Sequence, residues 1–191
     1  SYEVRNLTFT KAPEDELGFQ GAMSGDSLTA PIERVWVHHN SFYPGYCANP
    51  AESDKAEGDG SCDFKRGQYL TLAYNYYEGC HKTNLFGASD SNLQFHITMH
   101  HNYYKDCASR MPLVRQSNVH IYNNYFVGST SKTVDARANA FVFSEANYYE
   151  ACKNPILTKS DAVVKSFNDV FDNCKNDNNA SITDNRNLSF N

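Results

Sequence analysis

Three aspartates have the chemistry of a metal site. Asp59 and Asp63 stand in the segment Asp59-Gly60-Ser61-Cys62-Asp63, whose spacing lets both carboxylates meet across a turn, and Asp26 precedes them in the chain. Hard oxygen ligands, without cysteine or histidine among them, suit Ca²⁺. Three acids in a loop-rich stretch also fit a solvated surface, and taken alone they favour that interpretation.

Three cations follow the aspartates and favour a binding site over a solvated surface. Lys82, Arg110 and Arg115 are candidates for binding an anionic substrate. A metal ion between protein carboxylates and a substrate carboxylate, with Lys and Arg beyond it, would let an acidic protein hold a polyuronate. The sequence therefore predicts a calcium ion beside a cationic binding surface.

A repeated segment predicts how these residues are positioned. Residues 35–42, 70–77, 97–104 and 119–126 each contain an alternating strand, then Asn, then an aromatic residue two positions later, and weaker copies end near residues 149 and 169. The repeated Asn residues are Asn40, Asn75, Asn102, Asn124, Asn147 and Asn168, with spacings of 35, 27, 22, 23 and 21.

A period near 22 residues with one strand and one Asn corner per repeat predicts an all-β fold, a parallel β-helix. An Asn in the left-handed conformation at each corner would hydrogen-bond to the Asn of the next coil, and the following aromatic would stack inside. A β-sandwich is the alternative, but it has no reason to repeat one corner. Histidines at strand positions are interpreted as stacked structural residues: His38, His39, His100 and His101.

The register of the repeats places the charged residues on one side of the coils. Successive coils are about 4.8 Å apart, so four coils would form one groove with carboxylates at one end and cations at the other. The distances to the next repeated Asn are 14 residues for Asp26, 16 for Asp59, 12 for Asp63, near 15 for Lys82 without the insertion at 89–93, 14 for Arg110 and 9 for Arg115.

The composition limits the classes of function. The 191 residues predict one β-helix domain over residues 1–191, with a polar tail at 175–191. A net charge of −5 disfavours nucleic acid, and no apolar run approaches the roughly 20 residues of a membrane span. Because Ser1 opens directly on a strand-like segment, we expect a trimmed chain that lacks N-terminal coils.

Six cysteines without zinc-ligand spacing favour disulfides and a secreted protein, with buried cytosolic thiols as the alternative. We also expect the protein to be a monomer. Two of the cysteines, Cys80 and Cys107, each follow a repeated Asn by five residues, so they would stack one coil apart, within disulfide range. The register predicts the pairs Cys80–Cys107, Cys152–Cys174 and, from the remaining two cysteines, Cys47–Cys62.

Four segments resemble signature segments of the extracellular pectate lyases of polysaccharide lyase family 1. They are VWVHH at 35–39, DGSCDFKRG at 59–67, HKTNLFGASDS at 81–91 and RMPLVR at 110–115. The resemblance implies a right-handed parallel β-helix that cleaves α-1,4-linked polygalacturonate by calcium-dependent β-elimination, which gives 4,5-unsaturated oligogalacturonates. It makes Asp26, Asp59 and Asp63 calcium ligands, Lys82 and Arg115 substrate-binding residues and Arg110 the catalytic arginine.

The chain departs from the family pattern at three positions. His38, Ala88 and Leu113 stand where the family has Asp, His and Arg. Because Asp59 and Asp63 are retained, the resemblance favours the demethylated, anionic substrate. A pectin lyase acting on methylesterified polymer and a non-catalytic carbohydrate-binding β-helix are the alternatives.

Overall fold

The computed structural model describes residues 1–12, 14–24, 27–45 and 59–176, and in these ranges the regular structure is entirely β. No helix of the described ranges has the length and apolar character needed to cross a membrane. The strands, in chain order, are β1 Tyr2–Arg5, β2 Thr8–Thr10, β3 Asp15–Gln20, β4 Ala22–Ser24, β5 Ser27–Ala30, β6 Ile32–His38, β7 Ser41–Tyr43, β8 Gly60–Lys65, β9 Gly67–Ala73, β10 Tyr76–Glu78, β11 Lys82–Phe86, β12 Gln94–His100, β13 Tyr103–Lys105, β14 Leu113–Arg115, β15 Ser117–Tyr122, β16 Tyr125–Val127, β17 Val134–Arg137, β18 Phe141–Glu145, β19 Tyr148–Glu150, β20 Ile156–Thr158, β21 Val163–Phe167 and β22 Val170–Asp172.

The strands wind into a right-handed parallel β-helix, as predicted. Each of the first six coils contributes one strand to each of three parallel sheets, and β21 and β22 of the last described coil belong to sheets A and B. Sheet A contains β1, β6, β9, β12, β15, β18 and β21; sheet B contains β2, β7, β10, β13, β16, β19 and β22; sheet C contains β3, β8, β11, β14, β17 and β20. The strands β4 and β5 form a small antiparallel pair between the first and second coils.

Aromatic rings from sheet B form the predicted interior stack. Neighbouring rings are parallel or nearly so, with centroids 4.5–5.1 Å apart, because the coils are in register at the strand spacing. The stacked residues are Phe9, Phe42, Tyr77, Tyr104, Phe126, Tyr149 and Phe171. The histidines also stack as predicted, with Tyr74 lying between His39 and His101.

An asparagine ladder runs along the corner between sheets A and B. At each step the side-chain oxygen of one Asn accepts hydrogen bonds from the backbone N–H and the amide of the Asn before it, at 2.9–3.1 Å. The residue just before each ladder position, rather than the ladder Asn itself, has the left-handed backbone; examples are His39 at φ 54° and Ala146 at φ 51°. The prediction of a left-handed ladder Asn was therefore wrong by one position.

The last ladder residue is Asp169, not the predicted Asn168. Asp169 Oδ1 accepts from Asn147 N at 2.8 Å and from Asn147 Nδ2 at 3.0 Å. Asn168 is exposed and occupies the left-handed position at φ 54°. A ladder position needs a side-chain acceptor for the preceding coil, and a carboxylate provides one as well as an amide does.

The predicted disulfides are not formed in the described ranges. Cys62, Cys80, Cys107 and Cys152 are buried thiols, and no bridge joins Cys152 to Cys174. The predicted stacking holds, since Ala108 N donates to Cys80 O at 2.7 Å. In-register parallel stacking keeps Cβ atoms about 4.8 Å apart, beyond the 3.5–4.5 Å of a disulfide. Cys47 lies outside the described residues, as do residues 177–191 of the predicted tail.

We expect Asn102→Ala to lower the free energy of unfolding by about 3 kcal/mol, because it leaves buried ladder donors and acceptors unpaired. Asn102 accepts from Asn75 N at 3.0 Å and donates to Leu72 O at 2.9 Å. Urea unfolding measures the loss. The control is Asn168→Ala, which should cost less than about 1 kcal/mol since Ala146 occupies the equivalent position. Equal losses in the two variants would contradict the ladder register.

Candidate active site

Five of the six predicted site residues lie along neighbouring strands of sheet C. Asp59 precedes β8, Asp63 is within β8, and Lys82 begins β11. Arg110 precedes β14, and Arg115 ends it. Because β8, β11 and β14 are adjacent in the sheet, the predicted succession of acids and cations is brought together. Asp26 lies outside the described residues.

The acidic end contains a carboxylate that the sequence analysis missed. Asp63 Oδ2 lies 3.4 Å from Lys65 Nζ, and Asp15 Oδ2, from β3 in the coil before, lies 3.1 Å from the same nitrogen. Asp63 Oδ1 also accepts from Leu85 N at 3.0 Å. Two carboxylates from adjacent coils thus converge on one cation. Asp15 pairs with Gly60 in the register of β3 against β8, but it stands 25 residues before Asn40 because the β4–β5 pair is inserted after β3, so the spacing to the repeated Asn did not reveal it.

Asp63 is almost fully buried, with 5% of the residue exposed. Burial, then the charge of Asp15, raises its pKa to about 7, although Lys65 and Arg110 oppose this rise. A cation that binds beside a carboxyl with a raised pKa stabilises its charged form. The acidic end therefore has the charge balance that favours a bound cation.

Asp59 and Lys82 form a close ion pair in the same region. Lys82 Nζ lies 2.8 Å from Asp59 Oδ1, and the two side chains are only 8% and 14% exposed. The backbones are also joined, because Lys82 N donates to Asp59 O at 2.8 Å. The predicted metal ligand and the predicted substrate-binding lysine are therefore in direct contact.

The cationic end is built around Arg110 and Arg115. Arg110 has a left-handed backbone at φ 62°, which interrupts the strand alternation just before β14. Arg115 Nε lies 3.2 Å from Asp90 Oδ1, and its NH1 is 3.4 Å from Gly87 O. Burial lowers the pKa of Arg115; Asp90 opposes the shift, and Arg110 and Arg137 add to it.

Arg110 lies between the two ends of this surface. Asn84 N donates to Arg110 O at 2.6 Å, and Asn84 pairs with Cys62 of β8, while Arg110 N donates to Lys132 O in the next coil at 3.0 Å. In agreement with this position, the charge of Arg110 lowers the pKa of Asp63 and that of Arg115. The arrangement can therefore hold an anionic group beside the acids with Arg110 next to it.

Two further cations extend the surface into the next coil. Arg137 pairs with Arg115 in the β14–β17 register, and Arg110 N donates to Lys132 O at 3.0 Å. Arg137 also binds the buried Asp135 through two hydrogen bonds, of 3.0 and 2.5 Å. Both cations stand 22 residues after their predicted counterparts, so the repeat period was the signal that could have found them.

The donor chemistry fits Ca²⁺, because the candidate ligands are carboxylates. Within the described ranges, no three acidic, histidine or cysteine side chains form a ready metal cluster. Asp15 and Asp63 converge on Lys65, and Asp59 contacts Lys82. The convergence of two carboxylates on one cation supports a metal-binding hypothesis in which further ligands come from elsewhere.

We expect the stability of the calcium-free protein to fall as the pH rises from about 4 to about 7. Burial raises the pKa values of Asp63 and Glu16 to about 7, so the folded protein keeps protons that the unfolded chain has lost in this window. Urea midpoints measured with a calcium chelator test this, with Asp63→Asn as the comparison. The fall should be smaller in the variant, and an equal fall would show that Asp63 does not contribute.

The family model described as pectate lyase matches residues 4–191, which is nearly the whole chain. The chain belongs to the pectate lyase family. Pectate lyase B of Dickeya chrysanthemi is 36% identical over 165 residues, which cover 83% of this chain and 42% of that protein. This chain spans about two fifths of the length of the curated pectate lyases it matches.

Solved pectate lyases share the fold. The enzyme from Bacillus sp. N165, determined in complex with trigalacturonate, superposes with a TM-score of 0.78 at 27% identity, over 99% of this chain and 62% of that one. Pectate lyase C of Erwinia chrysanthemi, determined with Ca²⁺, has a TM-score of 0.66 at 31% identity, over 72% of this chain and 41% of that one. All the candidate site residues fall within the range that the pectate lyase model matches.

Proposed function

We propose that this chain carries the catalytic surface of a calcium-dependent pectate lyase. It cleaves α-1,4-linked polygalacturonate by β-elimination and releases 4,5-unsaturated oligogalacturonates. The observation that supports this is the place of Arg110 in the register of sheet C, where its carbonyl accepts from Asn84 N at 2.6 Å in the coil towards the carboxylates and its N–H donates to Lys132 O at 3.0 Å in the next coil. A neutral, methylesterified polymer would have no need of such a surface.

Calcium is the proposed cofactor, held by Asp59, Asp63 and one further carboxylate. Asp26 is the ligand that the resemblance implies, and Asp15 is a second candidate because it shares the Lys65 contact with Asp63. When bound, the ion supplies positive charge that offsets the substrate carboxylate and makes the neighbouring C5–H more acidic.

The cations of the surface bind the uronate carboxylates. Lys82 and Arg115 are the proposed substrate-binding residues, and Arg137 and Lys132 continue the positive surface into the next coil. Arginine binds a planar carboxylate through two parallel hydrogen bonds, and Asp135 orients Arg137 for this. The polymer would then lie along successive coils of sheet C.

Arg110 is the proposed base. It takes the proton from C5, the C5 electron pair forms the C4–C5 double bond, and the C4–O bond breaks. The departing oxygen takes a proton from solvent, so the chain is cut without adding water. The sequence places no His, Glu or Tyr at the charged positions, and the aspartates there are assigned to the metal. Lys82 and Arg115 stabilise the negative charge that develops on the carboxylate.

We propose that the protein acts outside the cell and as a monomer. An intact polymeric substrate is too large for import, so the enzyme must meet it in the medium. All the proposed site residues belong to one chain, and the site needs no contribution from a second copy.

The test is the ultraviolet absorbance of the conjugated double bond on mixing the protein with polygalacturonate. We expect absorbance to rise with Ca²⁺, to stop with a chelator and to return when Ca²⁺ is restored. Methylesterified pectin is the comparison substrate and should react more slowly. Reducing ends without absorbance would indicate hydrolysis, chelator-resistant cleavage of the ester would indicate a pectin lyase, and binding alone would indicate a non-catalytic module. Each of these results contradicts the proposal.

A further inference from the structure

A second surface with binding chemistry lies on the outer face of sheet A. Arg34, Tyr69 and His96 occupy equivalent positions on three successive coils, and each has a left-handed backbone, with φ of 54°, 56° and 56°. Their side chains stack: the guanidinium carbon of Arg34 is 5.8 Å from the Tyr69 ring centre, and the Tyr69 and His96 rings are 4.6 Å apart and parallel within 1°.

The stack ends where the next strand lacks the extra residue. Gln94 pairs with Ser117 and Ile97 with Val119, so Phe95 and His96 together face the single residue Asn118 of β15. This two-against-one arrangement is a β-bulge, a device that re-aims side chains and often borders binding sites. The bulge leaves a step in the surface beside the His96 ring.

A pocket of about 370 Å³ occupies this step. Its walls include the exposed rings of Tyr69, Phe95 and His96, with 45% exposure for Tyr69 and 41% for Phe95. Hydrogen-bonding side chains complete the lining: Thr71, Thr98, Asn118 and His120.

The lining selects for a neutral ligand with one apolar and one polar side. Among the described residues that line it there is no carboxylate, ammonium or guanidinium, whereas the groove on sheet C is rich in charge. Aromatic faces pack against apolar C–H groups, and the hydroxyl, amide and imidazole groups hydrogen-bond to hydroxyls. A pyranose without a carboxylate has both kinds of surface. A uronate would bring its negative charge towards Glu145, whose Oε2 lies 3.1 Å from Nε2 of the lining residue His120.

We propose that this pocket binds a neutral pyranose unit of a polysaccharide, independently of the charged groove. The sugar ring packs on the rings of Tyr69 and His96, and its hydroxyls bond to Asn118 and Thr98. The protein then has two sugar sites of different chemistry on different sheets. Binding at this pocket does not depend on the proposed lyase activity.

The experiment is a ¹⁵N NMR titration with the methyl pyranosides of galactose, glucose and xylose. We expect saturable shifts of the amides of Phe95, His96 and Asn118 with at least one of the three, and no such shifts with galacturonate. His96→Asn removes the ring but tolerates the left-handed backbone, and it should weaken binding about tenfold.

Two further variants keep the test decisive. Asn118→Ala should weaken binding by a similar factor even if the His96 variant folds poorly. Tyr103→Ala removes a ring that is 37% exposed on sheet B and should leave binding unchanged. The proposal would be overturned if none of the three sugars shifted the pocket amides, or if galacturonate shifted them equally. It would also be overturned if the shifts depended on protein concentration alone, because they would then report a second copy.

Discussion

Arg110→Lys should lower turnover on polygalacturonate at least about a thousandfold, which is within the range of general-base effects. Lysine keeps the positive charge but loses the planar fork and its reach, so the nitrogen that must approach C5 is misplaced. Polygalacturonate should still bind, because Lys82 and Arg115 remain. Because a base must be deprotonated before it acts, the residual and wild-type activities should both rise toward alkaline pH.

Steady-state kinetics separates an effect on turnover from an effect on substrate binding. We expect the loss in kcat and little change in KM. The matched control is Arg5→Lys, the same substitution at an exposed arginine on sheet A, whose Nε lies 3.5 Å from Glu3 Oε1. It should retain wild-type kcat. If Arg110→Lys kept a tenth of wild-type turnover, another residue would have to be the base.

Asp63→Asn should raise the Ca²⁺ concentration for half-maximal activity at least about a hundredfold, the effect of removing one partner of a buried charge pair. Asn keeps an oxygen that can accept the hydrogen bond that Leu85 N donates to Asp63 at 3.0 Å, so the fold should persist. The variant retains the shape of the site but loses a charged ligand.

Calcium titrations of activity and of the thermal midpoint measure this independently of each other. Ca²⁺ should raise the melting temperature of the wild type and have little effect on the variant. The control is Asp161→Asn, an exposed position with φ 60° that Asn adopts equally well. Unchanged calcium dependence in Asp63→Asn would remove Asp63 from the site.

The repeat was accessible from the sequence because a β-helix gives each coil the same local environment. Asn75, Asn102 and Asn124 recur with their aromatic partners, since every coil must satisfy the same corner and fill the same interior column. The same register placed Asp59, Asp63, Lys82, Arg110 and Arg115 on one sheet. One-dimensional periodicity therefore determined the fold and most of the candidate site.

Contacts between coils were decided only by the tertiary structure. Asp15 joins Asp63 through Lys65 although the inserted β4–β5 pair shifts it out of the common spacing to the ladder Asn. Asp169 replaces Asn168 because a ladder position selects for an acceptor rather than for one residue type. The buried thiols Cys80 and Cys107 stack without bonding because parallel register, not residue type, sets their separation. The sequence by itself determined which residues recur at each position of the coil. The three-dimensional stacking of the coils decided which atoms meet, since side-chain contacts between coils depend on bulges and inserted segments that interrupt the repeat.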